Sequence, residues 1–365
     1  MTSGLVLIDK PQGWTSHDVV ARLRKIAGTR RVGHAGTLDP MATGLLLIGI
    51  NSATKLLTFL VGEDKTYFAT IRLGASTITD DKESEVLAYG DEKKIHALHE
   101  DVVEKAMAKF RGSIQQVPSS VSAIKVNGER AYAKVRAGDE VKLAARAVEI
   151  TTFEMMDSPQ RVVEAGKTFF DVDVQVDCSS GTYIRALARD LGEALGVGGH
   201  LTALRRTRIG KYTIEQAQEL DDLTPETLDV LDISEAAKQQ FHTRQLSEQD
   251  VVDLRHGKRL KAAGEGTEPF AAIDQHGTLV AMLTLSGQDV KSLVVFNEKE
   301  ADELMVLDID ATVNKVAPDF GLIAKLAAEC RMPLCYGGGV TTAEQAARTA
   351  LRRAGLTRAS SLQSV

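Results

Sequence analysis

Residues 33–46 place a single carboxylate, that of Asp39, in a stiff glycine-rich loop, Gly-His-Ala-Gly-Thr-Leu-Asp-Pro-Met-Ala-Thr-Gly-Leu-Leu. The glycines permit backbone conformations that other residues resist, and Pro40 fixes its own φ and disfavours the helical region for Asp39. The apolar run 45–50 is typical of a buried strand, so it would anchor the loop to the core. A carboxylate held this way is preorganised for nucleophilic or acid–base chemistry. An Asp-Pro pair in such a loop more often marks a simple turn, and the loop alone favours that simpler interpretation.

A tyrosine lies in a second candidate segment, residues 65–73 (KTYFATIRL). Its composition predicts a strand in which Tyr67 shares one face with Ala69 and Ile71. Tyr67 should therefore point towards a core or a pocket. An aromatic residue in a strand is most often core packing, so this pattern alone favours a structural role.

An arginine and a second tyrosine lie where a predicted strand gives way to a predicted helix. Residues 169–177 alternate between apolar and polar side chains, which is typical of a half-buried strand, and helical spacing begins at Ile184. Tyr183 and Arg185 lie at this junction. A cation so close to a helix N-terminus opposes the helix dipole, so we expect Arg185 to be exposed to solvent or paired with an acid.

The remaining elements follow from periodicity and turn signals. Residues 4–10 predict a strand, and residues 16–26 and 52–61 predict helices. Residues 81–112 are acidic and helix-prone, and residues 246–296 predict short strands between glycine-rich turns.

Composition describes an ordinary globular chain of 365 residues, long enough for two or three domains. The net charge of −6 argues against nucleic-acid binding over the whole surface, but the first 75 residues carry nine Lys or Arg against five Asp or Glu. We find neither an apolar run of about 18 residues nor a signal peptide, so we expect a cytoplasmic protein that does not enter a membrane. The three cysteines lack the spacing of a zinc site, so we expect buried thiols, no disulfide framework and no metal.

The loop of Asp39 belongs to a longer string, GHAGTLDPMATGLLLIGI, which resembles the signature of the bacterial tRNA pseudouridine-55 synthase family almost residue for residue. Further segments are similar to other motifs of that family, namely LIDKPQGWTSHDVV (residues 7–20), KTYFATIRLGASTITDD (65–81), SSGTYIRALARDLG (179–192) and GGHLTALRRTRIG (198–210).

The resemblance implies a role for each matched residue. Asp39 is implied as the catalytic aspartate, and Arg185 as its partner, whose bidentate guanidinium keeps the carboxylate ionised and aligned. Residues implied around the target nucleotide are His34, which aids its placement, Lys10, which helps to hold the pocket's architecture, and Tyr67, Tyr183 and Leu204. Residues implied near RNA or as framework are Arg205, Arg206 and Arg208.

Residues 115–150 resemble the RNA-gripping insertion of the family. Basic residues interleaved with an aromatic suit a phosphate backbone and unstacked bases, and Lys125, Lys134 and Arg136 are the residues we expect to contact RNA. Many relatives carry a proline and an aromatic where this chain has Ser119-Ser120-Val121, so the contacts at that point should differ.

The resemblance also implies an α+β architecture: a pseudouridine synthase fold with a mixed, mainly antiparallel sheet over residues 1–240. A small β-rich, PUA-like RNA-binding domain is expected at 246–296. Residues 297–365 form a βαβα pattern that resembles part of the (βα)8 barrel of the cyclase subunit of imidazole glycerol phosphate synthase. The glycines that follow Tyr336 could receive a phosphate at a helix N-terminus, although a glycine-rich turn is the commoner explanation.

The implied reaction is the isomerisation of uridine 55 in the T-arm loop of tRNA to pseudouridine, without metal or organic cofactor. We expect a monomer unless the tail self-associates. Asp39 either attacks the ribose or assists glycosidic cleavage, and Tyr67 either stacks on the flipped base or accepts a proton; the sequence leaves both choices open. Two alternatives from other classes are a tRNA-binding chaperone without turnover and a sugar-phosphate enzyme or scaffold built on the tail.

Overall fold

The computed structural model describes residues 3–119, 125–126, 129–130, 144–264, 269–296, 304–307, 309–314, 316–323, 334–337, 340–342 and 345. The chain divides into two compact units, residues 1–296 and residues 297–365.

The described helices are α1 (Ser16–Ile26), α2 (Ala53–Leu60), α3 (Glu92–His96), α4 (Glu100–Met107), α5 (Ile184–Leu195), α6 (Ile233–Gln240), α7 (Glu248–Arg255) and α8 (Ile309–Val313). Short 3-10 turns lie at Ala108–Phe110 and Ile214–Gln216. The described part of the chain contains no helix long and apolar enough to cross a membrane.

The strands up to residue 155 are β1 (Gly4–Lys10), β2 (Val32–Ala35), β3 (Thr43–Ile50), β4 (Lys65–Leu73), β5 (Ala75–Thr77), β6 (Val86–Tyr89), β7 (Gly112–Gln116), β8 (Lys125–Val126), β9 (Glu129–Arg130) and β10 (Arg146–Met155). Those that follow are β11 (Gln160–Glu164), β12 (Lys167–Cys178), β13 (Gly199–Ile209), β14 (Tyr212–Thr213), β15 (Gln218–Glu219), β16 (Leu231–Asp232), β17 (Thr243–Gln245), β18 (Leu260–Lys261), β19 (Phe270–Ile273), β20 (Leu279–Ser286), β21 (Asp289–Val295), β22 (Leu304–Leu307) and β23 (Leu334–Gly337).

One large sheet organises the first unit. Its main path runs β15-β1-β3-β13-β4-β12-β10-β7. Off this path, β2 pairs with β3, β11 with β12, β14 with β13 and β16 with β1. Its pairs are antiparallel except β1 with β15 and β3 with β13, which are parallel. The predicted α+β fold with a mixed, mainly antiparallel sheet is therefore confirmed.

The parallel contact between β3 and β13 requires a glycine at position 44. Gly44 has φ +101°, and a Cβ built on it would lie 2.2 Å from the carbonyl oxygen of Arg206. A side chain at this position would both strain the backbone and push the two strands apart. This glycine therefore lets β3, which directly follows the Asp39 loop, lie close to β13.

Helices pack on both faces of the sheet at β1. Residues of α1 pack on Val6 and Ile8 of β1, whereas α2 and α6 pack on Leu5 and Leu7. At β4 and β12, one face carries the largest core, which includes Ile71 and residues of α4 and α5.

A five-stranded sheet, β17-β19-β20-β21-β18, follows α6. It has its own apolar cluster around Phe270 and Leu283, and its other face shares a cluster with β1 through residues such as Met282 and Phe296. Ser234 of α6 accepts a buried hydrogen bond from Leu279 N at 3.0 Å. The strands predicted within 246–296 are therefore present, and they share part of their core with the preceding residues.

In the described part of the second unit, β22 and β23 pair in parallel, with Leu304 opposite Leu334. The helix α8 begins directly after the first of these strands, where the sequence pattern did not predict one. Residues 351–365 lie outside the described part of the chain.

Candidate active site

Hydrogen bonds from the segment 13–16 hold the backbone of the Asp39 loop. The Ser16 hydroxyl accepts from Leu38 N at 2.9 Å and donates to Leu38 O at 3.2 Å. Gly13 N donates to Pro40 O at 2.8 Å. Because these bonds fix the backbone on both sides of Asp39, the carboxylate is positioned before any ligand arrives.

Lys10 supports the same loop from a fully buried position, 0% exposed. Its ammonium donates to the carbonyl oxygens of Trp14 (2.7 Å), Pro11 (2.9 Å) and Pro40 (3.4 Å). Burial lowers the pKa of Lys10 to about 8, although the nearby charges of Asp39 and Glu83 oppose the shift. The geometry fits the architectural role that the resemblance implied.

Asp39 pairs with Arg185, the second residue of α5. The Nε atom of Arg185 lies 2.9 Å from Oδ2 of Asp39, and Nη1 donates to Thr79 O at 2.7 Å. Asp81 lies 3.6 Å from Nη1 and is itself buried. Only 7% of the Arg185 side chain is exposed, whereas 38% of the Asp39 side chain is. The Arg185 guanidinium is thus buried between two acids, and the Asp39 carboxylate is the more exposed member of the pair.

These residues open onto a cavity of about 330 Å³. Its lining residues are Gly36, Thr37, Leu38, Asp39, Val61, Lys65, Tyr67, Ser180, Gly181, Thr182, Tyr183, Ile184, Arg185, Leu204 and Arg206. The structure therefore brings Asp39, Tyr67, Tyr183, Arg185 and Leu204 together in one pocket.

Tyr67 and Arg206 form a buried part of the wall, and they are 8% and 1% exposed. Burial raises the pKa of the Tyr67 phenol, while the charge of Arg206 and its hydrogen bond oppose that rise. Arg206 also donates to Leu45 O and to Gly36 O, both at 2.8 Å. Its burial fits the framework alternative for this residue, and the RNA contact expected for it stays a prediction.

Tyr183 is held at the start of α5 by a residue that the sequence did not single out. The side-chain amide of Gln116 accepts from Tyr183 N at 2.8 Å and donates to Tyr183 O at 3.1 Å. Gln116 is 2% exposed. Its position at the end of β7 carried no local signal, because the contact spans 67 residues of sequence.

His34 lies on β2, where its ring packs edge-to-face against His17 with 5.5 Å between ring centroids. Its Nδ1 atom is buried and has no hydrogen-bond partner among the described residues. Burial lowers the pKa of His34, and the neighbouring charges of His17 and Arg206 act in the same direction. A role beside bound RNA stays a prediction.

The predicted RNA contacts fall in two places. Arg205 pairs with Asp9 at 2.6 Å and lines a second cavity of about 510 Å³, which shares Leu204 with the first. Lys125 lies on the short strand β8, of which the backbone is described, and Lys134 and Arg136 lie outside the described residues.

Two further residues of the site lacked an explicit prediction. Lys65, at the start of β4, lines the cavity, and Asp81 lies against Arg185. Both lie inside the segment 65–81 that carried the family resemblance, so the resemblance could have indicated them. Among the described residues, no group of three or more His, Cys, Asp or Glu is arranged to hold a metal ion.

Comparison with known proteins gives three family matches that together run from residue 24 to residue 297. They are the N-terminal domain of TruB family pseudouridylate synthases (24–184), a C-terminal domain of tRNA pseudouridylate synthase B (185–237) and the C terminus of tRNA pseudouridine synthase II (241–297).

Relatives named tRNA pseudouridine synthase B align along nearly their whole length. The protein of Arthrobacter sp. (strain FB24) is 58% identical over 304 residues, covering 81% of this chain and 97% of the relative. The protein of Mycobacterium tuberculosis (strain ATCC 25618 / H37Rv) is 50% identical over 293 residues, covering 80% and 95%. Among solved structures, a Cbf5-Nop10-Gar1 complex matches with a TM-score of 0.59 and 26% identity, covering 80% of this chain and 84% of that chain.

Proposed function

The chain belongs to the TruB family of pseudouridylate synthases, and from this membership we propose that it converts uridine 55 in the T-arm loop of tRNA to pseudouridine. The coarser assignment, a tRNA pseudouridine synthase, rests on relatives of that name that are 50–58% identical over most of the chain. The choice of uridine 55 rests on the similarity of residues 33–50 to the motif of the pseudouridine-55 synthases.

The observation that carries the proposed chemistry is the ion pair between Asp39 and Arg185 at the wall of the cavity. A guanidinium nitrogen at 2.9 Å pairs with the carboxylate and fixes its direction. Asp39 then acts on the ribose of the target nucleotide, either by attack on C1′ or by assisting cleavage of the glycosidic bond. In both routes the C1′–N1 bond breaks and the uracil rotates so that C5 bonds to C1′. This bond displaces Asp39 from C1′ in the covalent route, or accompanies return of a proton to C2′ in the glycal route, and the C5 proton then passes to a base.

The size of the cavity favours a nucleotide whose base has left its stack. A volume of about 330 Å³ lies in the range of pockets that enclose small ligands. Extrusion of a base costs a few kcal/mol, and stacking on an aromatic ring is worth about 1–3 kcal/mol. Tyr67 and Tyr183 both line the pocket, so either ring is available to offset part of that cost.

The decisive experiment measures tritium release from unmodified tRNA labelled at C5 of uridine, followed by mapping of the modified position. We expect the full chain to release tritium and to modify position 55. Asp39→Asn should remove turnover while tRNA affinity stays within about tenfold, because binding is distributed over many phosphate contacts. A matched control is Asp222→Asn, since Asp222 is exposed and lies outside the cavity lining.

Each outcome has a definite meaning. Binding of tRNA without tritium release by the unaltered chain would favour a chaperone and exclude the proposed reaction. Release that persists above a few per cent in Asp39→Asn would remove Asp39 from the chemistry. Modification at a tRNA position other than 55 would leave the enzyme class in place and overturn the assignment of uridine 55 as the target.

A further inference from the structure

Lys65 is a buried lysine on the wall of the cavity that Asp39 lines. It is the first residue of β4 and is 6% exposed. It lies opposite Cys178 of β12 on one side and Ile209 of β13 on the other. An unpaired cation is seldom buried this deeply, because loss of hydration is costly.

The ammonium group of Lys65 makes two hydrogen bonds within the described residues. It donates to Val61 O at 2.8 Å and to Glu63 O. A lysine ammonium carries three N–H donors, so two carbonyl acceptors leave one donor for another partner. Lys65 lines the same cavity as Asp39, so its side chain lies at the wall where a bound nucleotide would be placed.

The same contacts fix one wall of the cavity. Val61 O also accepts from the Ser180 hydroxyl at 2.8 Å. Val61, Ser180 and Lys65 all line the cavity. The charge of Lys65 is therefore held in place by the turn before β4 and does not need to reorganise during a reaction.

Charged or titratable groups face Lys65 from three directions. Arg206 faces it from β13 and the Cys178 thiol from β12, while Glu63 and Asp64 approach from the preceding turn. Burial, assisted by Arg206, lowers the pKa of Lys65 to about 8, and Cys178, Glu63 and Asp64 oppose the shift. At neutral pH Lys65 is thus still mostly protonated, but burial makes its ammonium lose the proton more readily. It lies beside a second buried cation, Arg206.

We propose that Lys65 is a further catalytic residue, whose ammonium contacts an oxygen of the uracil ring and stabilises the negative charge that develops there. This inference rests on the proposed function. When the C1′–N1 bond breaks, its electron pair remains on the uracil and spreads to the ring oxygens, in the covalent and in the glycal route alike. As the C5–C1′ bond forms, the negative charge of the ring is neutralised. Transfer of the C5 proton to a base returns negative charge to the ring until N1 takes up a proton from solvent. Lys65 donates a hydrogen bond throughout and transfers no proton.

The test compares single-turnover rate constants on unmodified, C5-tritiated tRNA for the full-length protein and its variants. Lys65→Met keeps the length of the side chain and removes the charge, so the rate constant should fall about 100-fold, as is typical when one preorganised donor is lost. The affinity for tRNA should stay within about threefold. Lys65→Arg should recover most of the rate. Lys93→Met, at an exposed lysine of α3, is the matched control and should retain the rate of the unaltered chain.

A pH profile separates charge stabilisation from mere support of the turn. With enzyme below saturation the profile reports groups of the free protein, and the rate of the unaltered chain should fall as pH rises through about 8, because Lys65 loses its proton. Lys10 titrates in the same range. Lys65→Arg should therefore move the alkaline fall to higher pH, whereas Lys10→Arg should leave it in place.

The outcomes distinguish this inference from the proposed function. If the unaltered chain releases no tritium, the proposed function fails and the inference fails with it. If it releases tritium but folded Lys65→Met reacts within threefold of its rate, the inference alone is overturned. If Lys65→Met does not fold, the profiles decide: a flat profile of the unaltered chain between pH 7 and 9, or an alkaline fall that Lys65→Arg does not move, also overturns it.

Discussion

The Nε atom of Arg185 lies 2.9 Å from Oδ2 of Asp39, while Nη1 of the same guanidinium is held by Thr79 O and lies 3.6 Å from Asp81. The guanidinium is therefore oriented by a loop other than the one that carries Asp39. Its direction is set before substrate binds, and the direction of Asp39 depends on it. Loss of the planar group should thus affect the chemistry more than the binding.

Arg185→Lys tests this dependence. A lysine retains the charge but cannot contact Asp39, Thr79 and Asp81 in one plane, so we expect turnover to fall at least about 100-fold. Affinity for tRNA should stay within about tenfold. The measurement is single-turnover tritium release together with a binding titration. Arg189→Lys, in the same helix, is the matched control, because Arg189 pairs with Asp80 and Asp190 instead. Near-normal turnover in Arg185→Lys would remove the pairing from the mechanism.

Two substitutions at Tyr67 separate its ring from its hydroxyl. Tyr67→Phe keeps the stacking face and loses the phenol, whereas Tyr67→Leu loses both. If the residue is a stacking platform, Phe should retain turnover within about threefold and Leu should lose about tenfold or more, in line with about 1–3 kcal/mol of stacking. If the phenol accepts the proton, both variants should be impaired alike. Tritium release measures this step directly, because the proton leaves C5.

Lys10 predicts a pH dependence of stability. Burial lowers the pKa of Lys10 from 10.5 to about 8 in the folded chain. Between these values the unfolded chain binds more protons than the folded chain, so the contribution of this group to the free energy of unfolding rises with pH. Lys10→Met lacks this titration. Between pH 7 and pH 9.5 the free energy of unfolding of the unaltered chain should therefore rise by about 2 kcal/mol relative to that of Lys10→Met.

Urea unfolding of both proteins at the two pH values measures this shift. The equally lowered pKa of Lys65 is common to the two proteins, so its effect cancels in the comparison. A difference in unfolding free energy that does not change with pH would mean that Lys10 is not buried as a titrating group.

Removal of residues 297–365 should leave the enzyme active. The family matches end at residue 297 and the first compact unit ends at residue 296. We expect turnover within about threefold of the full chain after truncation at Phe296. Truncation after Gln240 is the control, and it should aggregate, because it uncovers the apolar cluster that Met282 and Phe296 complete. If the shorter deletion already abolishes turnover, residues beyond 296 belong to the working fold.

Much of the fold was predictable because binary patterns are local. The strands Gly4–Lys10 and Lys65–Leu73 and the helix Ser16–Ile26 have the predicted bounds. The helix has in addition a complete capping box between Thr15 and Asp18. Residues 81–112 were less predictable. The strand Val86–Tyr89 within them is exposed along its whole length. It pairs with β5, and the local sequence pattern does not indicate this partner.

The family and the enzyme class were predictable only where residues carried a family resemblance. The membership of the pseudouridine synthase family, predicted from residues 33–50, is confirmed by the relatives and the family matches. Arg206 shows the limit of the resemblance, which implied a place near RNA or in the framework but did not indicate that this side chain is 1% exposed. Burial of that kind depends on β3 and on the loop at Gly36, which lie far away in sequence. The roles of the individual site residues stay predictions until the variants are measured.

The apolar cluster beneath β1 unites Leu5 and Leu7 with Phe296, which lies about 290 residues later, at the end of the first compact unit. At about 5–20 residues per second, its last member emerges some 15–60 s after its first. Throughout that interval the inner face of β1 has only part of its cover, so the nascent chain presents an apolar strand to whatever is near the exit tunnel. We therefore expect the yield of folded protein during translation to depend on the supply of holdase chaperones, even if the completed chain is stable.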